Sequence, residues 1–359
     1  MDVVSAGPER VAARVGRLER LPKMLNLVPM IAQWAWLSIL YRSVTLPSAA
    51  NPTITTGGMV GEGKLEYFDI MGSTALSFVA KTASVVPHGQ GSLEEAHAAM
   101  AAANLAYPVV VKPDLGWCGF GVRRIGNAVE MSAYLEAYPK GERVVIQEWL
   151  DHPGEAGIFY MREPGQPTGQ VIGILLRHFP RVVGDGSRTV AELIAADPRA
   201  RRLGRDGASE PCCDTRMVPA SGQTVRIAIV GSTRVGGLYE DASVCITPQL
   251  VAAIDAIARD MKDFHVGRFD VKYSDLQALS AGTGFRIMEV NGAGSEAVHA
   301  WDPSLTLRQA YSIVFAKQRR LFAIGAAMRR LGHRPVGWLP LARYHLRQQA
   351  LISRYPPSN

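Results

Sequence analysis

The sequence predicts an α+β fold in which antiparallel ribbons alternate with helices, and three stretches carry that expectation. "VVVKPDLGWCGFGVRRI" reads as strand, glycine-rich turn and strand. "GRFDVKY" and "FRIMEVNG" read as two further strands joined by "SDLQALSAGTG", a hairpin connection that would set them side by side and antiparallel. "SLEEAHAAMAAANL" reads as a helix from residue 92, with Ser92 and Glu95 spaced as a capping box, and it runs directly into the strand "YPVVVKP".

A chain of 359 residues that is 47% hydrophobic can bury a sizeable core and is expected to form two or three structural units. Its four cysteines (Cys118, Cys212, Cys213, Cys245) are spaced for neither a zinc site nor a disulfide framework, and no cleavable secretory signal is evident, so a reducing cytoplasm is the expected location. The net charge is +7, but Asp302 is the last acidic residue and ten of the 39 Lys and Arg residues follow it. The rest is therefore slightly acidic, which argues against a specific nucleic-acid-binding core and for an appended cationic helical tail.

Residues 24–41, "MLNLVPMIAQWAWLSILY", carry no charge and are flanked by Arg17, Arg20 and Lys23 before and Arg42 after. That is about the minimum length of a bilayer span, yet Asn26, Pro29 and Gln33 cluster on one side of a helical wheel. A buried helix, an interfacial membrane helix and a true span are the three readings; the two tryptophans and basic flanks suit the interface. The tail segment "AKQRRLFAIGAAMRRLGHRP" has basic pairs beside an apolar face, which fits either a solvated helix packed on the protein or contact with an anionic lipid surface.

The chemistry is concentrated in three places. Gly116, Gly119 and Gly121 cluster after Lys112, and backbone amides that approach phosphate oxygens need glycine because a Cβ holds them off. No Gly-Lys-Ser/Thr follows and a strand, not a helix, comes next, so this is neither a Walker loop nor a Rossmann turn. "RVVIQEWLDHPGE" is an apolar strand ending in Gln147, Glu148, Trp149 and Leu150, with Glu155 beyond a turn: an adenine-sized slot and a carboxylate for ribose hydroxyls are one use of this spacing. Asp270 and Glu289, on adjacent antiparallel strands, would repel unless a cation lies between them, and with the Asn291 amide they form an incomplete oxygen-donor set of the kind that binds Mg²⁺ together with phosphates.

In this order, the lysine strand with its glycine loop, the "QEWL" linker and the "RFD … MEVNG" strands resemble the ATP-grasp superfamily of carboxylate–amine ligases, typified by D-alanine–D-alanine ligase. The similarity spans roughly residues 60–310, and "FPRVVGDGSRTVAELI" and "VGGLYEDASVCITP" further resemble the subset that includes cyanophycin synthetase. The resemblance implies two α+β lobes with ATP between them, an abbreviated N-terminal domain and a basic helical C-terminal tail. The expected divisions are 1–45 (an apolar and basic helical segment), 46–106 (the abbreviated region before the ATP-grasp lobes), 107–150 (small lobe), 151–312 (large lobe) and 313–359 (tail).

The resemblance also implies roles. Lys112 would contact the α-phosphate side, Lys64 would be an earlier nucleotide lysine, and residues 114–121 would close over the phosphates. Gln147, Glu148, Trp149 and Leu150 would frame adenine and Glu155 would hold ribose. Asp270, Glu289 and Asn291 would ligate Mg²⁺, as two ions with Mn²⁺ as a substitute, and Arg268 would face a developing oxyanion. Ser295, Glu296 and His299 in "GSEAVHAWDP" would line the acceptor side; His299 reads either as a general base or as a structural histidine. Arg181 and Asp185, around the "GDG" turn, would position substrate or cap a helix. The implied reaction is ADP-forming: ATP phosphorylates a carboxylate and the acyl phosphate then accepts an amine. The alternative is an ATP-binding sensor or scaffold at a membrane surface, without turnover.

Overall fold

The computed structural model describes residues 15–89, 91–205 and 207–359; residues 1–14 of the first expected division lie outside them. The first described elements are a short helix α1 (Arg17–Arg20) and the long α2 (Lys23–Tyr41), which Arg42 ends in a left-handed cap. Next come α3 (Lys64–Asp69), where the sequence predicts a helix around 63–72, and α4 (Ser73–Phe78), which lies beyond that stretch. Gly72, in extended conformation, divides them and gives up its amide to the Asp260 carbonyl.

The small lobe consists of β1 (Thr82–Val85), α5 (Ser92–Ala102), β2 (Val109–Pro113), β3 (Arg123–Ile125), α6 (Ala128–Ala137) and β4 (Val144–Glu148). Its sheet has the order β1-β4-β2-β3, and every pairing is antiparallel. Val109, Val111, Val144 and Ile146 turn one face of it against Ala96 and Met100 of α5 and Met131, Tyr134 and Leu135 of α6. The opposite face carries Lys112 and Gln147, which alternate with those apolar residues as the two-residue repeat of a strand requires. Helix α5 does begin at Ser92, but Gly91 is its N-cap: the Ser92 hydroxyl turns back to accept from the His88 and Gly89 amides, so the expected capping box is not formed.

The large lobe contains β5 (Gly154–Met161), β6 (Gln170–His178), β7 (Arg181–Val183), α7 (Val190–Ala196), β8 (Thr224–Arg226), β9 (Leu238–Asp241), α8 (Pro248–Arg259), β10 (Val266–Tyr273), α9 (Leu276–Ser280) and β11 (Phe285–Asn291). The main sheet runs β11-β10-β5-β6-β9, again antiparallel throughout, while β7 and β8 form a separate ribbon backed by α7. Along β10 the alternation is strict: Phe269, Val271 and Tyr273 enter the core with Ile158, Ile254 and Ile287, leaving Arg268, Asp270 and Lys272 on the other face. The connection from β10 to β11 is more than a turn, since Asp275 caps the short helix α9 within it.

The interval 46–106 divides between the lobes. Ile54, Tyr67, Phe68, Met71 and Ala75 pack into the core of the large sheet, whereas β1 and α5 belong to the small lobe. Helix α10 (Leu307–Arg330) lies across the large lobe and against α2, and α11 (Trp338–Ile352) leads the chain back to the small lobe.

Candidate active site

The two sheets face one another through their polar sides, and Lys112 bridges them. Its Nζ donates to Gln147 Oε1 at 2.9 Å and to the Met288 carbonyl of β11, also at 2.9 Å. That carbonyl is free because of a β-bulge: Asp270 pairs with Glu289 and Val271 with Ile287, so Met288 is the extra residue in the ladder. Gln147 Nε2 reaches the same carbonyl at 3.2 Å. Burial pushes the Lys112 ammonium down to about 8, against the upward pull of Glu289.

A second lysine converges from a different element. Lys64 opens α3, and its Nζ lies 3.6 Å from Glu289 Oε1 and 3.3 Å from the Asp114 carbonyl. A Cβ on Gly116 would sit 2.6 Å from this Nζ, so a side chain there would displace the lysine's tip.

Asp270 and Glu289 are direct cross-strand partners, and Asn291, two residues further along β11, stands opposite Arg268. The three oxygen-bearing side chains therefore share one face and one corner of the sheet. Arg268 holds Asp270 through two parallel contacts, Nε to Oδ1 at 2.6 Å and Nη2 to Oδ2 at 2.9 Å; Arg177 of β6 adds a third at 3.0 Å and the Asn291 amide a fourth at 3.1 Å. Burial opposes ionisation of Asp270, but Arg177 and Arg268 outweigh it and hold the carboxyl below its ordinary value. Glu155 is likewise engaged, by Arg177 at 2.9 Å and Lys272 at 3.8 Å.

Hard oxygen donors from two carboxylates and an amide fit a Mg²⁺ site that shares its ligands with phosphates. Asn291 spends its NH₂ on Asp270 and so keeps its carbonyl oxygen as a donor. Among the described residues no group of three or more His, Cys, Asp or Glu side chains is placed to hold a metal, so a cation here would depend on this mixed set.

The loop between β2 and β3 arches back as the glycines require. Cys118, Gly119 and Gly121 all take left-handed backbone angles, which the glycines adopt without strain. Arg234 donates to the Cys118 carbonyl at 3.2 Å and stacks over the Phe120 ring at 4.1 Å. The C-terminal segment grips the other side: Gln348 donates to the Gly116 carbonyl at 3.1 Å, Tyr355 to the Leu115 carbonyl at 2.6 Å, and the Asn359 amide to that of Val122 at 3.2 Å.

The remaining candidate residues separate. Gln147 points at Lys112, but the Glu148 carboxylate turns to the Lys81 amide and Arg286, and Arg124 lies 5.3 Å over the Trp149 ring. Glu148, Trp149 and Arg124 line a cavity of about 520 Å³ with Asn104, Leu105 and Pro108. Leu150 follows the end of β4 and is half-buried. Arg181 belongs to the β7–β8 ribbon, opposite Arg226, and Asp185 serves a local turn by accepting from the Ser187 and Arg188 amides.

Ser295 lies four residues beyond the end of β11, and its buried hydroxyl has no partner among the described residues; Glu296 is exposed. His299 is buried with its ring edge against Phe159 at 5.2 Å, and burial lowers its basicity. Four residues here went unread in the sequence: Arg177, Lys272, Lys317 and Glu62. Lys317 of α10 donates to the Ala293 and Ser295 carbonyls and is pushed down to about 8 by burial. Glu62 has a buried, unpartnered Oε2, and burial raises it to about 7. Lys272 carried a signal, two residues beyond Asp270 and so on the same face of the strand, and Arg177 a weaker one, as a cation closing the apolar run "VIGILLR".

No family model and no curated protein matches this chain. Among solved structures, a bifunctional glutathione synthetase from Pasteurella multocida is 20% identical with a TM-score of 0.36, over 68% of this chain and 35% of that one. The VanG D-Ala:D-Ser ligase from Enterococcus faecalis is 15% identical with a TM-score of 0.42, over 75% and 64%. A D-alanine–D-alanine ligase from Bacillus anthracis is 14% identical with a TM-score of 0.40, over 75% and 67%. The chain thus spans about a third of the first protein's length and just under two-thirds of the second's.

Proposed function

We propose that this chain is an ADP-forming ligase of the ATP-grasp type, joining a carboxylate to an amine through an acyl phosphate. The observation that carries the reading is the convergence of Lys64 and Lys112, from separate elements, on the strand pair that holds Asp270 and Glu289. Two cations beside two carboxylates at the meeting of two sheets suit a polyphosphate better than a neutral ligand.

In this reading Lys112 and Lys64 offset the charge of the phosphates, and residues 114–121 cover them and exclude water from the acyl phosphate. Asp270, Glu289 and Asn291 would hold Mg²⁺, as two ions, which when bound supplies Lewis-acid stabilisation of the transferring phosphoryl group. Arg268, aligned by its two contacts to Asp270, directs its remaining donors at the oxyanion formed when the amine attacks. Gln147, Glu148, Trp149 and Leu150 would frame adenine and Glu155 would take ribose. Small carboxylates and amines are the substrates, met in the cytoplasm or at the inner face of a membrane.

One observation favours the non-catalytic alternative. Asp270 and Glu155 are already neutralised by Arg177, Arg268 and Lys272, so the pocket is electrostatically complete without a metal. ADP release with pooled carboxylates and amines separates the two readings. The ligase predicts amine-dependent ADP that Glu289→Ala abolishes; a sensor binds ATP and releases none in either form.

A further inference from the structure

Helix α2 is built inside out. Its polar residues face the protein: Gln33 donates to the Phe315 carbonyl and to Gln318 of α10, and Asn26 accepts from the Tyr311 hydroxyl of the same helix. Trp34, Leu37 and Tyr41 pack beside them around Phe322. The opposite side is apolar and bare, with Leu25, Val28, Ile31, Trp36, Ile39 and Leu40 between 58% and 74% exposed. A run of this size on a water-facing helix is a surface made to be covered.

The charges around it say by what. No Asp or Glu occurs between Glu19 and Glu62 or after Asp302, whereas exposed Arg17, Arg20 and Arg42 flank the helix at its two ends. Arg329, donating to the Tyr41 carbonyl, ties the end of α10 to the same rim, and the exposed Arg330 and Arg334 follow it in the chain. A second copy docked through this face would set a cationic rim against its equal with no acid to answer it. The complement is an apolar layer with anionic heads.

We infer that α2 and the adjoining end of α10 form a docking surface for an anionic lipid bilayer. The helix, about 28 Å long at 1.5 Å per residue, lies in the plane of the interface. It does not span the bilayer, because its bonds to α10 commit one side to protein. This inference stands apart from the ligase reading.

The test is flotation of the full chain with vesicles of phosphatidylcholine alone or mixed with phosphatidylglycerol, at low and high salt. Binding is expected to the anionic vesicles and to weaken with salt, by about fivefold for each cation removed in Arg42→Gln or Arg330→Gln. Ile31→Asp with Ile39→Asp should abolish binding while thermal stability and ATP binding stay unchanged. Failure to float with the anionic vesicles at low salt, equal flotation of the Asp variant, or self-association through this face without lipid binding would each overturn it.

Discussion

Replacing Lys112 by methionine should raise the stability of the protein while weakening the ATP binding proposed for it. The ammonium is buried, and the fall from 10.5 to about 8 is equivalent to about 3 kcal/mol of cost for keeping it charged in the fold. Methionine fills a similar volume without that cost. It leaves Gln147 Oε1 without its donor, a loss of about 1–2 kcal/mol, while the Met288 carbonyl keeps Gln147 Nε2. The net gain is about 1–2 kcal/mol, or roughly 1–3 °C in Tm for a chain of this length. ATP loses a charge-assisted contact and should bind about 10- to 150-fold more weakly.

The pH dependence fixes the sign. Below about 8 the lysine is protonated both folded and unfolded, and its cost is fully present. Between about 8 and 10.5 only the unfolded chain keeps the proton, so the wild type gains stability as pH rises and its deficit against the variant closes. Thermal melts at pH 7 and pH 9.5 with ATP titration by calorimetry measure both effects. A variant less stable than wild type by 2 kcal/mol or more, or one that binds ATP normally, would refute this account of Lys112.

Three further outcomes are expected. Glu62→Gln should gain on the wild type above pH 7 by about 1–3 kcal/mol, because a carboxyl raised to about 7 loses fold stability as pH climbs from 4.5 through that value; urea titrations at pH 5 and pH 8 measure it. Arg177→Leu should destabilise by about 3–5 kcal/mol in the same assay, since it leaves Asp270 and Glu155 buried with weaker compensation. Gln348→Ala with Tyr355→Phe removes two bonds to the glycine loop, worth about 1 kcal/mol each, and should speed limited proteolysis within 114–121 by about thirtyfold.

How much of this was legible depended on the range of the interactions. The neighbourhood of Asp270 and Glu289 followed from strand alternation and a short connection, both local properties, and the register pairs them. Lys112 was recognisable as a strand-end cation, but its contact with β11 needs the bulge at Met288, which no periodicity announces. Arg177 lies 93 residues from Asp270 and Lys317 22 from Ser295, so each gains its meaning only from packing. The strand β1 was hidden in a stretch rich in Gly, Ser and Ala, because "TASV" is too short and too small to show alternation. "QEWL" reads as one surface in the sequence; in the fold Gln147 turns to Lys112, whereas Glu148 and Trp149 line a separate cavity with Arg124. The apolar run of α2 was plain, but only its bonds to α10 reveal which side is turned outward.

The central claim is tested most directly by following oxygen. With a carboxylate substrate labelled in both oxygens with ¹⁸O, ATP and an amine acceptor, the account predicts ADP and one labelled oxygen in the phosphate released for every amide formed, lost together in Glu289→Gln. Unlabelled phosphate, or release of AMP and pyrophosphate in place of ADP, would contradict it.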